Sequence, residues 1–354
     1  MTDTDRIIID TTTRIFQDLS DPQTVNNEDS DGWKQPLWSA LEESGLTLTW
    51  VPDTLGGAGA EVSDGFDVLR VAGSFAVAVP LAETLLAGWL LSQAGLESPL
   101  GPMTVAPVRA EDRLTLGADG TLTGTASRVP FARDAAHIAV LAHRGEDTVV
   151  ALVDRAACAV ADGESLADEA QDSVTFDGVT PLQVAGAPDG VDEDALICMG
   201  AAARSMQMAG ALQAILDISV QYAKDRVAFE RTISRFQAVQ HNLARLAGEV
   251  AAAIAIAGSA ADAIQRAGGI SDRVVVEVAS AKIRVGEAAG EGAAIGHQVH
   301  GAIGFTLEHI LHRFSRRLWA WRDDFGNESV WAVRLGTLVA AKGADELWPT
   351  LTAR

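Results

Sequence analysis

Apolar positions in the first part of the chain recur at helical spacing around Ile15–Leu19, Trp38–Leu41, Phe66–Val71 and Leu81–Leu91, separated by turn residues at Pro52, Gly56-Gly57 and Pro80. This predicts a small helical domain over residues 1–98. From 99 to 188 the period changes to two. Leu114-Thr-Leu116, a turn at Asp119-Gly120 and Leu122 predict one hairpin, and Ile138–Leu141 and Val149–Val153 on either side of Gly145-Glu-Asp147 predict a second. The stretch reads as a compact, antiparallel β middle domain. Over 189–354 helical spacing returns in segments of roughly 20 to 35 residues, which predicts a C-terminal four-helix bundle. Ser271-Asp272 is placed to cap the helix running toward His300, and Thr306 to cap the next, with Glu308 in its first turn. The fold class is α+β, mostly α.

At 354 residues and 48% apolar content the chain can bury a sizeable core. Its 27 basic and 48 acidic residues leave a net charge of −21, which repels nucleic acid and anionic lipid, so neither is expected as a partner. Two cysteines, Cys158 and Cys198, can form neither a disulfide framework nor a Cys-based metal cluster and suit a reducing compartment. The N-terminus, Met-Thr-Asp-Thr-Asp-Arg, lacks the apolar core of a secretory signal, and a cytoplasmic location is expected. Val250–Ile264, the most apolar stretch, contains Gly258, Ser259 and Asp262 and is too short and too polar for a bilayer span. A buried bundle helix is expected there.

Candidate chemistry concentrates in two segments. The first runs from Arg226 to His241, R-V-A-F-E-R-T-I-S-R-F-Q-A-V-Q-H. A guanidinium near a helix end offers planar recognition of phosphate oxygens, and a neighbouring Phe supplies an apolar wall. Arg226 could equally pair with Asp225 or Glu230 while Phe229, Ile233 and Phe236 pack locally. The second segment, Gln298-Val-His-Gly301-Ala-Ile-Gly304-Phe305, closes another long helix, and its glycines either admit a close backbone approach or cap the helix. Together the two resemble the C-terminal half of the acyl-CoA dehydrogenase family, which reads R-x-x-F-G-x-x-I-x-x-F-Q-x-x-Q and Q-x-x-G-G-x-G-F. The resemblance implies that family's fold over the whole chain and FAD as cofactor. In the family both segments hold the ADP half of a FAD whose flavin ring sits in a neighbouring subunit. Carried over, the cofactor-binding residues are Arg226, Phe229, Gln237, Gln298, Gly301 and Ala302, with Gly304 nearby. Ala302 replaces the second of the family's paired inner glycines.

The proton acceptor is missing. Removing the α-proton of an acyl-CoA thioester while hydride leaves the β-carbon for flavin N5 needs a positioned carboxylate. Family members place a Glu either 20 residues after the Phe of the second motif, here Phe325-Gly326, or 26 residues before the Arg of the first, here Gly200. Both positions lack an acid, so no catalytic residue is assigned. Asp323, Asp324 and Glu328 bracket Phe325 as candidates for a shifted base, whereas Asp192, Glu193 and Asp194 precede a helix and suit its dipole. In relatives a strand like L-x-G-x-K-x-W-I-T packs its Trp on the flavin and bonds near N5 through its hydroxyl. The matching stretch here, Leu122–Pro130, has Arg128 and Pro130 at those places, and the acidic Gly-rich flavin loop is largely absent from Met103–Asp112.

His297 with His300, and His309 with His312, lie on single helix faces, but no bundle carboxylates accompany them and no metal is expected. The first pair is read as flanking the cofactor turn, the second as lying at a bundle surface, and His241 as an interior or interface group. The basic stretch His312–Arg322 could attract phosphates or cover an acidic partner surface. Gly56-Gly57-x-Gly59 does not follow a strand and resembles the family's turn between N-terminal helices, not a dinucleotide fingerprint.

The expectation is therefore an FAD-binding subunit of a heteromeric acyl-CoA dehydrogenase, inactive in isolation. A homologous partner in a heterodimer or α2β2 heterotetramer would supply the flavin pocket, the catalytic Glu and most of the acyl-CoA site. Pro80-Leu-Ala-Glu-Thr-Leu-Leu and the short middle domain look like the dehydrogenases of steroid-derived CoA thioesters, an analogy at the level of the family. Two rivals stand: a self-sufficient homo-oligomer using Asp323, Asp324 or Glu328, and a flavin-free scaffold or regulatory subunit.

Overall fold

In the computed structural model, which describes residues 3–352 apart from Asp29, five α-helices precede the first strand. They are α1 (Asp3–Leu19), α2 (Pro22–Asn26), α3 (Lys34–Glu43), α4 (Val62–Ser74) and α5 (Leu81–Gln93). A capping box between Glu61 and Asp64 starts α4. α5 is buried on every side from Leu81 to Leu91, Glu83 included, as expected of a helix that is apolar all round.

The middle sheet contains β1 (Met103–Ala106), β2 (Leu114–Leu116), β3 (Leu122–Pro130), β4 (His137–Arg144), β5 (Asp147–Asp154), β6 (Ala159–Ala161), β7 (Gln171–Val179) and β8 (Gln183–Gly186). Its order is β6-β7-β3-β2-β4-β5-β8. Both expected hairpins form, β2 with β3 and β4 with β5. The sheet is mostly antiparallel, with one departure: β1 runs parallel to β4, and β2 also meets β4 in parallel at Thr115↔His143. Thr84 on α5 fastens β1 to the helices by bonding both the N–H and the carbonyl of Met103. Along β4, Ile138, Val140 and Ala142 face a core within the sheet domain, while Ala139 and Leu141 join the core shared with α5. The alternation is thus used on both faces.

The rest is helical: α6 (Glu193–Asp225), a hairpin of β9 (Val227–Ala228) and β10 (Arg231–Thr232), α7 (Gln237–Ala267), α8 (Asp272–His300), α9 (Leu311–Asp323), α10 (Glu328–Lys342) and α11 (Leu347–Thr352). α6, α7 and α8 reach the expected lengths, and α9 and α10 are shorter. α4 and α6 approach through glycines, because a Cβ on Gly73 would overlap the Gln207 carbonyl and one on Gly210 the Arg70 carbonyl. Val250–Ile264 lies in α7, where Val250, Ala253, Ala257 and Ile264 are buried while Ala251 and Ala255 are exposed. The buried helix expected there is thus buried on one face only. By length and composition α7 is the one helix among the described residues that could cross a membrane.

Ser271 occupies the N-cap of α8 without a side-chain bond, and Asp272 pairs with Lys342 at 3.2 Å. Thr306 does not cap the following helix. It ends a short 3-10 turn (Gly301–Phe305) and donates its hydroxyl to Ile303, while α9 starts only at Leu311, whose N–H is taken by His309 Nδ1 at 3.1 Å.

Candidate functional site

α6 stops at Asp225, and Arg226 turns the chain out in an extended conformation, its N–H still bonded to the Tyr222 carbonyl at 2.8 Å. The β9–β10 hairpin then closes over Phe229 and Glu230, both with positive φ (52° and 64°), the backbone of a two-residue hairpin turn that favours Gly or Asn. Phe229 is 89% exposed and meets Phe236 edge-on at 6.2 Å, and Arg231 lies over the Phe236 ring at 4.2 Å. Gln237, exposed, is the first residue of α7. Among the described residues the Arg226 guanidinium makes no ion pair or hydrogen bond, and Asp225 is engaged by Gln221 at 2.8 Å. The local pairing open to Arg226 on sequence grounds is not made.

At the end of α8, Gln298, Gly301 and Ala302 are exposed, and Gly301 has φ 65° and ψ −143°, a backbone that L side chains rarely adopt. Gly304 is buried against His300 and Leu311. The Tyr222 hydroxyl donates to the His300 carbonyl at 3.3 Å and the two rings stack at 4.4 Å. The Arg226 segment and the Gln298 segment therefore share one end of the bundle. What they offer is an unpaired cation, an exposed ring, two amides and an open glycine turn, a set that fits a diphosphate-containing group.

The two positions where relatives carry a base also meet. A Cβ on Gly200 of α6 would overlap the Phe325 ring, so one aromatic side chain fills the place toward which both sequence positions point. Phe325 is buried at φ 53°, its carbonyl taking the Trp331 indole N–H at 2.9 Å. Asp324 accepts from Arg204 at 2.9 Å and from Gln171 at 2.9 Å. Asp323 lies 3.7 Å from Arg322, and Glu328 turns toward Gly286 on α8, 3.8 Å from Arg322.

Beneath Phe325 is a charge cluster that sequence reasoning missed. Arg204, 3% exposed, binds Glu83 (1% exposed), Asp324 and, at 2.6 Å, Gln207, and lies near the rings of Trp321 and Phe325. Burial pushes the Glu83 carboxyl up, against the pull of Arg204. Lys282, also buried, donates to the Trp321 carbonyl at 2.7 Å, and burial pulls its ammonium down to about 7. The available signal was a single charge inside each of two apolar helical runs, Leu-Ala-Glu83-Thr-Leu-Leu and Ala-Ala-Ala-Arg204-Ser-Met.

Comparison with known proteins fixes the family. The chain is 31% identical over 288 residues to the acyl-CoA dehydrogenase IpdE2 of Mycobacterium tuberculosis, covering 81% of each. It belongs to the acyl-CoA dehydrogenase family. Residues 195–322, which span both segments at the bundle end, match the family described as acyl-CoA dehydrogenase, C-terminal domain. Among solved structures it is similar in fold to the ChsE4-ChsE5 complex from Mycobacterium tuberculosis (TM-score 0.86, 23% identity, 97% of this chain and 99% of that one). A Tcur3481-Tcur3483 steroid ACAD variant is similar at TM-score 0.84 and 23% identity, with 96% and 98% covered. FAD is the cofactor of this acyl-CoA dehydrogenase family.

A cavity of about 590 Å³ lies between the sheet and the bundle of this acyl-CoA dehydrogenase chain, lined by Arg109, Arg128, Gln171, Asp323, Phe325 and Arg334, among others. Arg128, at φ 56°, gives its Nε to Gln171 at 3.2 Å, and Pro130 also lines the space. The strand positions where relatives keep a Trp and a hydroxyl therefore face this cavity, but with a cation and a ring that offers no donor.

The remaining expectations divide. His241 is exposed near the start of α7, not interior. His309 is half-buried and joins His300 (4.6 Å) and Tyr222 instead of lying on the bundle surface. In the basic stretch, Arg316 pairs with Asp168 and Arg317 with Glu169, tying α9 to the turn before β7. Those two arginines serve the chain's own acids.

His300 gives a pH prediction. Burial holds its ring down to about 4, against an ordinary 6.5. The unfolded chain takes up the proton first as pH falls, so stability present above 6.5 is lost between 6.5 and 4, about 3 kcal/mol from this group. Urea midpoints measured from pH 7 to 4.5 should fall more steeply in the wild type than in His300→Gln.

Proposed function

We propose that this chain is the cofactor-clamping subunit of a heteromeric acyl-CoA dehydrogenase that introduces an α,β double bond into a CoA thioester. Its homologous partner holds the flavin ring and supplies the catalytic Glu and most of the acyl-CoA site. The observation that carries the reading is the Phe325 ring seated on Gly200, which leaves the proton acceptor's place with no carboxylate while the nucleotide-facing end stays open. Asp324, bound by Arg204 and Gln171, is poorly suited to act as a shifted base.

When bound, FAD supplies the hydride acceptor. This chain's part is to hold the ADP half. Arg226 donates in a planar fork to phosphate oxygens, and Phe229 covers the nucleotide's apolar face. Gln237 and Gln298 hydrogen-bond it, and the backbone of Gly301 and Ala302 approaches closely. Support for a partner comes from the solved complexes above and from an uncovered apolar face. Only Trp331 of α10 is buried, while Val330, Val333, Trp348 and Leu351 are more than half exposed. A steroid-derived CoA thioester is the substrate class we favour, because one of the similar solved structures is a steroid ACAD variant. The cytoplasm is the proposed location, consistent with two unpaired cysteines.

The test is to express the chain alone and together with a homologous acyl-CoA dehydrogenase subunit, then record flavin absorbance per heterodimer. A colourless isolated chain and a yellow, active complex are expected. A yellow isolated chain that reduces an acceptor with an acyl-CoA would establish the self-sufficient reading, and an active complex that binds its FAD without this chain would leave it a scaffold.

A further inference from the structure

Each arm of the nucleotide-facing end is rooted in one ring of a compact stack. Tyr222 lies one helical turn before Arg226, and its carbonyl takes the Arg226 N–H at 2.8 Å. His300 stands between Gln298 and Gly301, and its carbonyl is one of the orphan acceptors at the end of α8. The Tyr222 hydroxyl donates to that carbonyl at 3.3 Å. The Tyr222 and His300 rings stack at 4.4 Å with 30° between their planes, and His309 closes edge-on against both, at 4.6 Å and 6.0 Å.

Hydrogen-bond partners fix the two tautomers. His300 Nδ1 faces the Gly296 carbonyl at 2.7 Å, which can only accept, so this nitrogen carries the proton. Its buried Nε2 has no hydrogen-bond partner among the described residues. His309 Nδ1 accepts from the Leu311 N–H at 3.1 Å, so its proton lies on Nε2. Both neutral rings are thereby held to backbone, one to α8 and one to the start of α9, and the Tyr222 ring is pressed onto a surface that cannot rotate away. The peptide that this arrangement immobilises leads directly into Gly301.

We infer that Tyr222, His300 and His309 are positioning residues that set the distance between the Arg226 arm and the Gln298–Gly301 arm before a nucleotide arrives. The inference rests on the clamp reading proposed above. A pre-set distance spares the nucleotide the cost of ordering two exposed segments, so its loss appears in affinity.

The experiment uses the co-purified complex with its flavin removed and measures the Kd for added FAD by flavin fluorescence, beside the melting temperature of the flavin-free complex. Tyr222→Leu, which removes ring stacking and hydroxyl together, is expected to raise the Kd by about tenfold or more. Tyr222→Phe, which keeps the ring, should recover most of that loss, and the melting temperature should not follow the Kd. Should Tyr222→Leu fail to assemble, His309→Gln takes its place with the same expectation. A wild-type Kd in these variants, or a Kd that moves only in step with melting, overturns the inference. Arg226→Ala separates the two levels: if it loses FAD while the Tyr222 and His309 variants keep it, the clamp stands without the stack, and if it keeps FAD, the clamp reading itself has failed.

Discussion

Arg226→Ala in the assembled complex is expected to weaken FAD binding by roughly 10- to 100-fold, the worth of about 1.5–3 kcal/mol for a hydrogen bond to a charged group. The effect should be clean, because the guanidinium is exposed and has no partner among the described residues, so its removal breaks nothing within the chain. Stability of the flavin-free complex should change by no more than about 0.5 kcal/mol, as for ordinary surface substitutions. Arg226→Lys should restore only part of the affinity, since an ammonium keeps the charge but loses the planar fork. Equilibrium titration with FAD and a melt of the flavin-free complex check both halves, and an unchanged FAD Kd in Arg226→Ala would remove the residue from the site.

Arg204→Ala should produce the largest loss of stability, about 3–5 kcal/mol, because it strands Glu83 and Asp324 in the core without their cation. The carboxyl of Glu83, already pushed up by burial, would be driven toward its neutral form. Combining Arg204→Met with Glu83→Leu should recover part of the loss, since it replaces the Arg204–Glu83 pair by apolar groups while Asp324 keeps only its bond to Gln171. Urea denaturation of the two variants against the wild type decides the matter. Equal destabilisation by the single and double changes would mean that the cluster is not held together by its charges. The cluster lies directly beneath the Phe325 ring.

Legibility in the sequence followed the range of the interaction. The two hairpins were readable because alternation and a Gly-containing turn are local properties of a short segment, and the long helices because their apolar period persists over many turns. The parallel pairing of β1 with β4 left no such trace, since the partners are far apart in the chain and each strand's own pattern is silent about its neighbour's direction. Thr306 carried the composition of a cap, yet the chain spends the next residues in a turn and His309 receives the first amide of α9. Propensity named a suitable residue, and packing around Tyr222 and His300 selected another.

By itself the sequence determined the order helical, β and helical, the spacing of the two motifs that begin at Arg226 and Gln298, and, through the family resemblance, the lack of an acid at Gly200 and Phe325. The order of elements follows from period alone, and the rest from residue identity set beside the family's motifs. Only the tertiary structure decided that Gly200 and Phe325 are one place, that Asp324 is already taken by Arg204 and Gln171, and that Arg226 has no partner among the described residues. Whether a charge is spent or free depends on which distant groups the packed core brings within a few ångströms, and that is a property of the fold.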